Sequence, residues 1–394
     1  MALLSGLRII TVEQYGAGPY GSMQLADLGA EVIKIENPAD GGDMSRHVGP
    51  FFAPDGESQF FHSFNRNKRS VGLDLKRPGA EVVLRALAAR ADGVMNNLRG
   101  DLPEKLGLTY AALAPANPLI VCSHLSAYGR TGSRAHWPGY DYLMQAEAGY
   151  LSLTGEPDGP PSRMGLSVVD LMTGLFAAFG LLAGIVEARA SGTGRDVDVS
   201  LFDTAVQNLN YLATWFLNSG HVQCREPRSA HPSLVPSQLY RTRDGFLFIM
   251  CNKEKFWPIL CEKLGRPEWA TDPRFHRFTD RFENRALLNA MLDDALGARP
   301  TAEWLARFAG EVPAAPVHDV RAALENPFLR ERAMLRDYAP SSGTPFQMIA
   351  TPIRSTAETP TRPAPSLGAD TDAVLGECGF SEAELHDLRA RSVI

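Results

Sequence analysis

The run from Met164 to Glu187, MGLSVVDLMTGLFAAFGLLAGIVE, constrains the fold more than any other stretch, because every residue between Asp170 and Glu187 is uncharged. A continuous apolar segment of this kind reads as a helix buried in a large core, short of the roughly 18 to 20 residues a membrane span needs. The acid at its head has two readings. Ser167-Val-Val-Asp170 fits the capping box, in which hydroxyl and carboxylate satisfy orphan backbone donors at a helix start. The same placement would hold a nucleophilic carboxylate against an apolar wall, kept ionised by the positive end of the helix dipole. Spacing alone favours the cap, since most acids at helix starts are structural.

The chain has 394 residues, room for two domains and a sizeable core. With 44% apolar and 21% charged residues it has the composition of an ordinary globular protein, and a net charge of −6 gives no electrostatic case for a nucleic-acid partner. The opening MALLSGLRIITVEQ has no basic n-region, long apolar h-region or small-residue cleavage site. It is expected to be the first strand, and the protein to be cytoplasmic with no membrane partner. Five scattered cysteines (Cys122, Cys224, Cys251, Cys261, Cys378) with no CxxC pair argue against a disulfide framework and a zinc site. The nine histidines show no ligand spacing, so no metal is expected, and His62 and His124 read as core imidazoles.

Strand-like runs recur at 7–12, 31–35, 70–75, 93–97, 119–124 and 197–201, separated by helical patterns such as 20–28 and 79–91. This alternation predicts an α/β fold with a parallel sheet that binds ligands outside the carboxyl ends of its strands. Gly16-Ala-Gly18-Pro-Tyr-Gly21 follows the first strand, and Glu36 ends the second, which together satisfy the dinucleotide fingerprint. Taken alone it says NAD, and an NAD-dependent dehydrogenase is one reading. Any pyrophosphate, including that of coenzyme A, would gain equally from such a turn, and Pro19 at a helix start needs no ligand at all. Lys34, Arg46, Arg66, Lys68, Arg69, Lys76, Arg99 and Lys105 follow successive strands. Each alone reads as a surface charge, yet their loops converge on one sheet edge, where they would form a shared anion site.

Six blocks together resemble the family III coenzyme A transferases, a family that includes formyl-CoA transferase and carnitine CoA-transferase alongside the related alpha-methylacyl-CoA racemases. They are AGPYGSMQLADLGAEVIKIE (17–36), GGDMSR (41–46), NRNKRSVGLDLK (65–76), GYDYLMQAEAG (139–149), SVVDLMTG (167–174) and GTGRDVDVSLFD (192–203). The resemblance implies that Asp170 is the aspartate nucleophile. It also implies a Rossmann-like large domain with a smaller α+β domain, two subunits interlocked as a homodimer, and coenzyme A as substrate with no metal. Coenzyme A contacts carry over to Gly16, Ala17, Asn37, Leu73, Lys76, Asn97, Leu98, Arg99, Lys105 and Tyr140. Gly16, Asn37 and Pro138 stand where the formyl-CoA transferase branch has glutamine, arginine and lysine, and the glycine-rich flap of that branch has no counterpart near 251–257.

Resemblance also poses a choice between transfer and racemisation. The racemase branch uses a histidine where this chain has Tyr140, and a phenol, with an ordinary pKa near about 10, is a poor base for an alpha-proton. Transfer of coenzyme A from an acyl-CoA, possibly succinyl-CoA, to a small carboxylic or dicarboxylic acid is therefore expected, with acyl-CoA racemisation the alternative. Arg46, His47 and Arg163 are candidates for holding the acid by proximity in the family fold. The expected organisation is a large coenzyme A-binding domain over 1–200, a linker over 201–227, a small domain over 228–326 and a return segment over 327–394. Within the small domain, QLYRTRDGFLFIMCN reads as a hairpin, and 256–264, 285–296 and 302–308 as helices. The tail is expected to be extended and Pro-rich over 345–365, then helical over 382–390.

Overall fold

Six of the apolar runs become strands: β1 (Arg8–Val12), β2 (Glu31–Glu36), β3 (Lys68–Gly72), β4 (Gly93–Asn96), β5 (Val121–Ser126) and β6 (Arg195–Ser200). In the computed structural model, which describes residues 1–53, 56–338, 346–357 and 360–394, they form one parallel sheet in the order β3-β2-β1-β4-β5-β6. Ile9, Ile10, Val32, Ile33, Val94 and Val121 are fully buried, as expected of β-branched side chains in a sheet covered on both faces. The strand order reverses between β1 and β4, which opens a crevice at their carboxyl ends.

Four helices position the crevice: α1 (Ala17–Asp27), α2 (Ala80–Ala88), α3 (Asp141–Glu147) and α4 (Val168–Ser191). Helix α4 runs 24 residues, longer than its apolar core in the sequence, and by length and composition alone it could cross a membrane. Its buried face, Val169, Thr173, Ala177, Leu181, Ile185 and Ala188, follows the helical period, while Leu175, Phe179 and Val186 on the other side are 45–70% exposed. Against α1 the approach is as close as backbones allow. A Cβ on Gly174 would sit 2.2 Å from the Ala17 carbonyl, and one on Gly21 would sit 2.2 Å from the Gly174 carbonyl.

The last segment completes this unit. Helices α5 (Thr371–Glu377) and α6 (Glu382–Ala390) bury Val374, Leu375, Leu385 and Leu388 in one cluster with Ile33, Val71, Leu73 and Val83. They also cover the open edge of β3, where Asp370 accepts from Ser70 N–H and Thr371 Oγ1 from Gly72 N–H, both at 2.9 Å.

The chain divides into one unit of 1–148, 164–210 and 328–394 and a second of 149–163 and 211–327. The end of the small domain falls one residue from the expected 326, whereas the boundaries expected at 200 and 227 differ and 149–163 joins the second unit. The segment 201–227 is no linker along its length, because Leu201–Gln207 and Asn210–Ser219 are helices, the first capped by Ser200 Oγ on Asp203 N–H at 3.0 Å. The second unit has an antiparallel sheet of β7 (Ser237–Arg241), β8 (Phe246–Met250) and β9 (Ala314–Pro316), the first two forming the expected hairpin. Helices Phe256–Leu264, Arg285–Gly297 and Thr301–Phe308 close its core around Tyr240, Trp257, Phe275, Leu288 and Trp304. Residues 339–345 and 358–359 lie outside the described residues. The expected Pro-rich extended tail therefore falls partly outside them, and its described part includes a short strand, Phe346–Ile349.

Candidate active site

The start of α4 is not capped by its own sequence. Ser167, at the N-cap, makes no side-chain cap hydrogen bond. The orphan donors are instead satisfied across the crevice by buried Asp141, on the first turn of α3. Its Oδ2 accepts from Val169 N–H at 2.7 Å and Asp170 N–H at 3.0 Å. Gln145, one turn along α3 and also buried, donates to Asp141 Oδ1 at 2.6 Å and to the Leu166 carbonyl at 3.1 Å, and accepts from Met164 N–H at 2.9 Å. The strand-like approach to α4 is thus tied to α3 before the helix begins. The capping task at this helix start belongs to Asp141.

Among the described residues nothing hydrogen-bonds to the Asp170 side chain. The carboxylate is partly buried and faces the turn between β1 and α1, where a Cβ on Gly16 would lie 3.2 Å from its Oδ2. Burial, with the Asp141 charge nearby, pushes its pKa up to about 7. The expectation that the helix dipole keeps this acid firmly ionised is corrected here: the roughly 0.3–1 kcal/mol of a helix terminus is outweighed by desolvation. A carboxylate with no hydrogen-bond partner among the described residues, a pKa near neutrality and a glycine opposite can act as a nucleophile or a proton carrier.

A sequence model of CoA-transferase family III matches residues 4–371. The chain belongs to CoA-transferase family III. It is 34% identical to a succinate–glutarate CoA-transferase of Agrobacterium fabrum over 95% of each chain. It is 36% identical to an acetyl-CoA:oxalate CoA-transferase of Acetobacter aceti over 84% of each. Among solved structures, a CaiB/BaiF family protein from Brucella suis is similar at 33% identity and a TM-score of 0.81, covering 96% of this chain and 99% of that one. The protein is an enzyme, a CoA-transferase, and coenzyme A is its substrate.

The family III positions named from sequence lie along the carboxyl edge of the sheet, in unequal states. Gly16 and Ala17 are buried at the start of α1 below Asp170. Asn37 follows β2 and caps the short turn Pro38–Asp40, accepting from Ala39 N–H. Leu73 is in the hydrophobic core and Leu98 packs against it, so their side chains are spent. Asn97 grips Gln14, accepting from its N–H at 2.9 Å and donating to its carbonyl at 2.7 Å. Arg99 and Lys105 are exposed and share Asp101, while Lys76 is exposed with no ion pair among the described residues. Tyr140 stands 64% exposed at the N-cap of α3, immediately before Asp141.

The expected shared anion site does not survive as drawn. Lys34, Lys68, Arg46 and Arg66 are buried and neutralised inside the protein by Asp43, Glu13, Glu36 with Glu57, and Asp27 respectively. Arg69 is held by Glu31 and Glu377. Arg46 is therefore a counterion and no anchor for a substrate acid. His47 is exposed, and Arg163 lies in the second unit. The dinucleotide reading falls with the same observation, because Glu36 is consumed by Arg46 and Ser70 and cannot receive a ribose. Sequence reasoning missed Asp141 and Gln145 as the support of the nucleophile; their i, i+4 spacing on one helix face was the available signal. Among the described residues no cluster of His, Cys, Asp and Glu is arranged to hold a metal ion.

Proposed function

We propose that the protein moves coenzyme A from an acyl-CoA, succinyl-CoA foremost, to a small dicarboxylic acid through covalent intermediates on Asp170. The activities for which its relatives are named, succinate–glutarate and acetyl-CoA:oxalate transfer, support this substrate class. The observation that carries it is a carboxylate relieved of capping by Asp141 and facing the Gly16 turn. A carboxylate oxygen of Asp170 attacks the thioester carbonyl, the C–S bond breaks, and a mixed anhydride forms with release of coenzyme A thiolate. The thiolate attacks the aspartyl carbonyl and expels the donor acid, leaving an aspartyl thioester. The acceptor carboxylate attacks that carbonyl and displaces the thiolate, giving a second anhydride. Thiolate attack on the acceptor's carbonyl then releases the new acyl-CoA and regenerates Asp170. No proton is gained or lost over the cycle, and the thioester's free energy is conserved. The apolar face of α4 behind Asp170 supplies a dry wall.

Two copies of the chain are proposed to interlock as a homodimer in the cytoplasm. The exposed stripe Leu175, Phe179 and Val186 on α4 supports a second copy as its cover, which also accounts for a helix apolar on both sides. The ten coenzyme A positions named from sequence remain proposed contacts, through backbone where their side chains are spent.

The deciding experiment mixes pure protein with succinyl-CoA and a panel of glutarate, oxalate and related acids, and follows new acyl-CoA by chromatography. Hydroxylamine trapping should place the modification on Asp170. Absence of exchange with every pair, or an undiminished rate in Asp170→Ala, would overturn the reading. Racemisation would instead show as exchange of the alpha-proton of a 2-methylacyl-CoA with deuterated water.

A further inference from the structure

The GGDMSR block (41–46) has no part in the transfer steps, yet its Asp43 is fully buried and reaches the turn that faces Asp170. That turn, 13–19, is held at every step. At its start the Glu13 carbonyl accepts from Lys34 Nζ at 2.8 Å, and at its end the Pro19 carbonyl accepts from Lys68 Nζ at 3.0 Å. Lys34 pairs with Asp43 at 2.9 Å and Lys68 with Glu13 at 2.8 Å, all four side chains fully shielded from solvent. Between these ends Asn97 grips Gln14 on both its N–H and its carbonyl. Tyr15, next in line, has φ +70°, a left-handed conformation that side-chain-bearing residues rarely adopt. Its N–H donates to Asp43 Oδ1 at 3.0 Å. Gly16 follows, with Asp170 above it.

Burying two lysines with their carboxylates is a poor way to gain stability, since well-packed apolar residues usually serve as well or better. The charges do something apolar side chains cannot: they fix two main-chain carbonyls and one strained N–H on either side of Gly16. We propose that Asp43, with Lys34 and Lys68, forms a positioning cluster that sets the Gly16 turn against Asp170 for the transfer reaction. The inference rests on the assignment of Asp170 as nucleophile. All three are buried and act through the turn.

The test uses the full-length protein, succinyl-CoA and glutarate. The paired replacement Lys34→Met with Asp43→Leu removes a buried ion pair in one step without leaving either charge unpaired in the interior. Its kcat should nevertheless fall about tenfold or more, with KM for succinyl-CoA within about twofold, because a misplaced turn costs rate more than binding. Adding Tyr15→Gly should recover part of that loss, since glycine takes the left-handed conformation without the acceptor. A folded double variant with wild-type kcat overturns the proposal. If the double variant does not fold, Asp43→Asn against Asp43→Ala decides, because the amide keeps an acceptor for Tyr15 N–H and the methyl does not; equal kcat in the two overturns it. Wild-type exchange and the trapped Asp170 adduct, measured in parallel, separate failure of this cluster from failure of the nucleophile assignment.

Discussion

Two acids stand at the carboxyl edge of the same sheet and have opposite fates. Glu36, at the end of β2, accepts from Arg46 Nε at 2.9 Å, Arg46 Nη2 at 2.7 Å, Ser70 Oγ at 2.7 Å and Asp43 N–H at 2.9 Å. Burial works to raise its pKa, but the Arg46 hydrogen bonds and the Lys34 and Arg46 charges bring it below the usual carboxylate range. Asp170 is also desolvated, but no donor among the described residues offsets the cost, and its pKa rises to about 7. Desolvation is common to both; compensation is not. In this fold the number of partners, more than the position after a strand or at a helix start, separates an acid bound into the structure from one that has no hydrogen bond among the described residues.

The contrast can be broken from either side. Asp170→Asn should abolish CoA transfer, a loss of at least about 10³-fold in kcat or roughly 4 kcal/mol of transition-state stabilisation, while leaving the fold intact by circular dichroism. Glu36→Ala should do the reverse. It removes the two-point partner of the buried Arg46 guanidinium, leaving Glu57 as its one carboxylate, and is expected to cost about 3 kcal/mol of stability in a denaturant titration. A Glu36 variant as stable as wild type, or an Asp170 variant that unfolds, would dissolve the distinction.

The close seam of α1 and α4 sharpens it further, because that seam brings the free acid to the glycine turn. Gly174→Ala places a methyl 2.2 Å from the Ala17 carbonyl, and backbone must move to admit it. About 2 kcal/mol of destabilisation is expected, with a larger fractional loss of kcat than of folded protein, since Asp170 is carried one turn away on the same helix. Equal losses in a melt and in a rate assay would mean the seam is structural alone.

How far the sequence disclosed this depends on the distance between partners. The six parallel strands lie within a few residues of their expected limits, the central β1 and β2 marked by buried β-branched residues, and the helix Glu382–Ala390 was legible in full. The second unit's hairpin was marked by Arg243-Asp-Gly. Relations that cross the fold were hidden. Ser167-x-x-Asp170 is the local capping pattern, but the cap comes from Asp141, 28 residues upstream, in another helix. Lys68 reads as a loop cation until Glu13, 55 residues away, is seen against it. The glycines of the fingerprint were legible as sites of close approach, yet what approaches Gly21 is the backbone of α4. The family blocks pointed to Asp170 as the proposed nucleophile, and only the structure shows that among the described residues its side chain has no hydrogen-bond partner.

The smallest effect probes the free acid through pH. The proposed mechanism needs Asp170 as carboxylate, so kcat/KM should rise with pH through a single ionisation near 7 and level off above it. Stability should run the other way. The folded chain holds the Asp170 proton more tightly than the unfolded chain, where an aspartate titrates near about 3.9. The advantage is therefore complete below about pH 4 and is lost as pH rises through about 7. Asp170→Asn escapes that loss, so its stability relative to wild type should improve between pH 4 and pH 8, by something on the order of 1 kcal/mol given partial solvent access. Glu36→Gln should show the opposite trend, because a carboxylate held below its ordinary range contributes stability at neutral pH that fades in acid. Parallel pH trends in the two variants would mean that the two acids are equally compensated, and the division between them would fail.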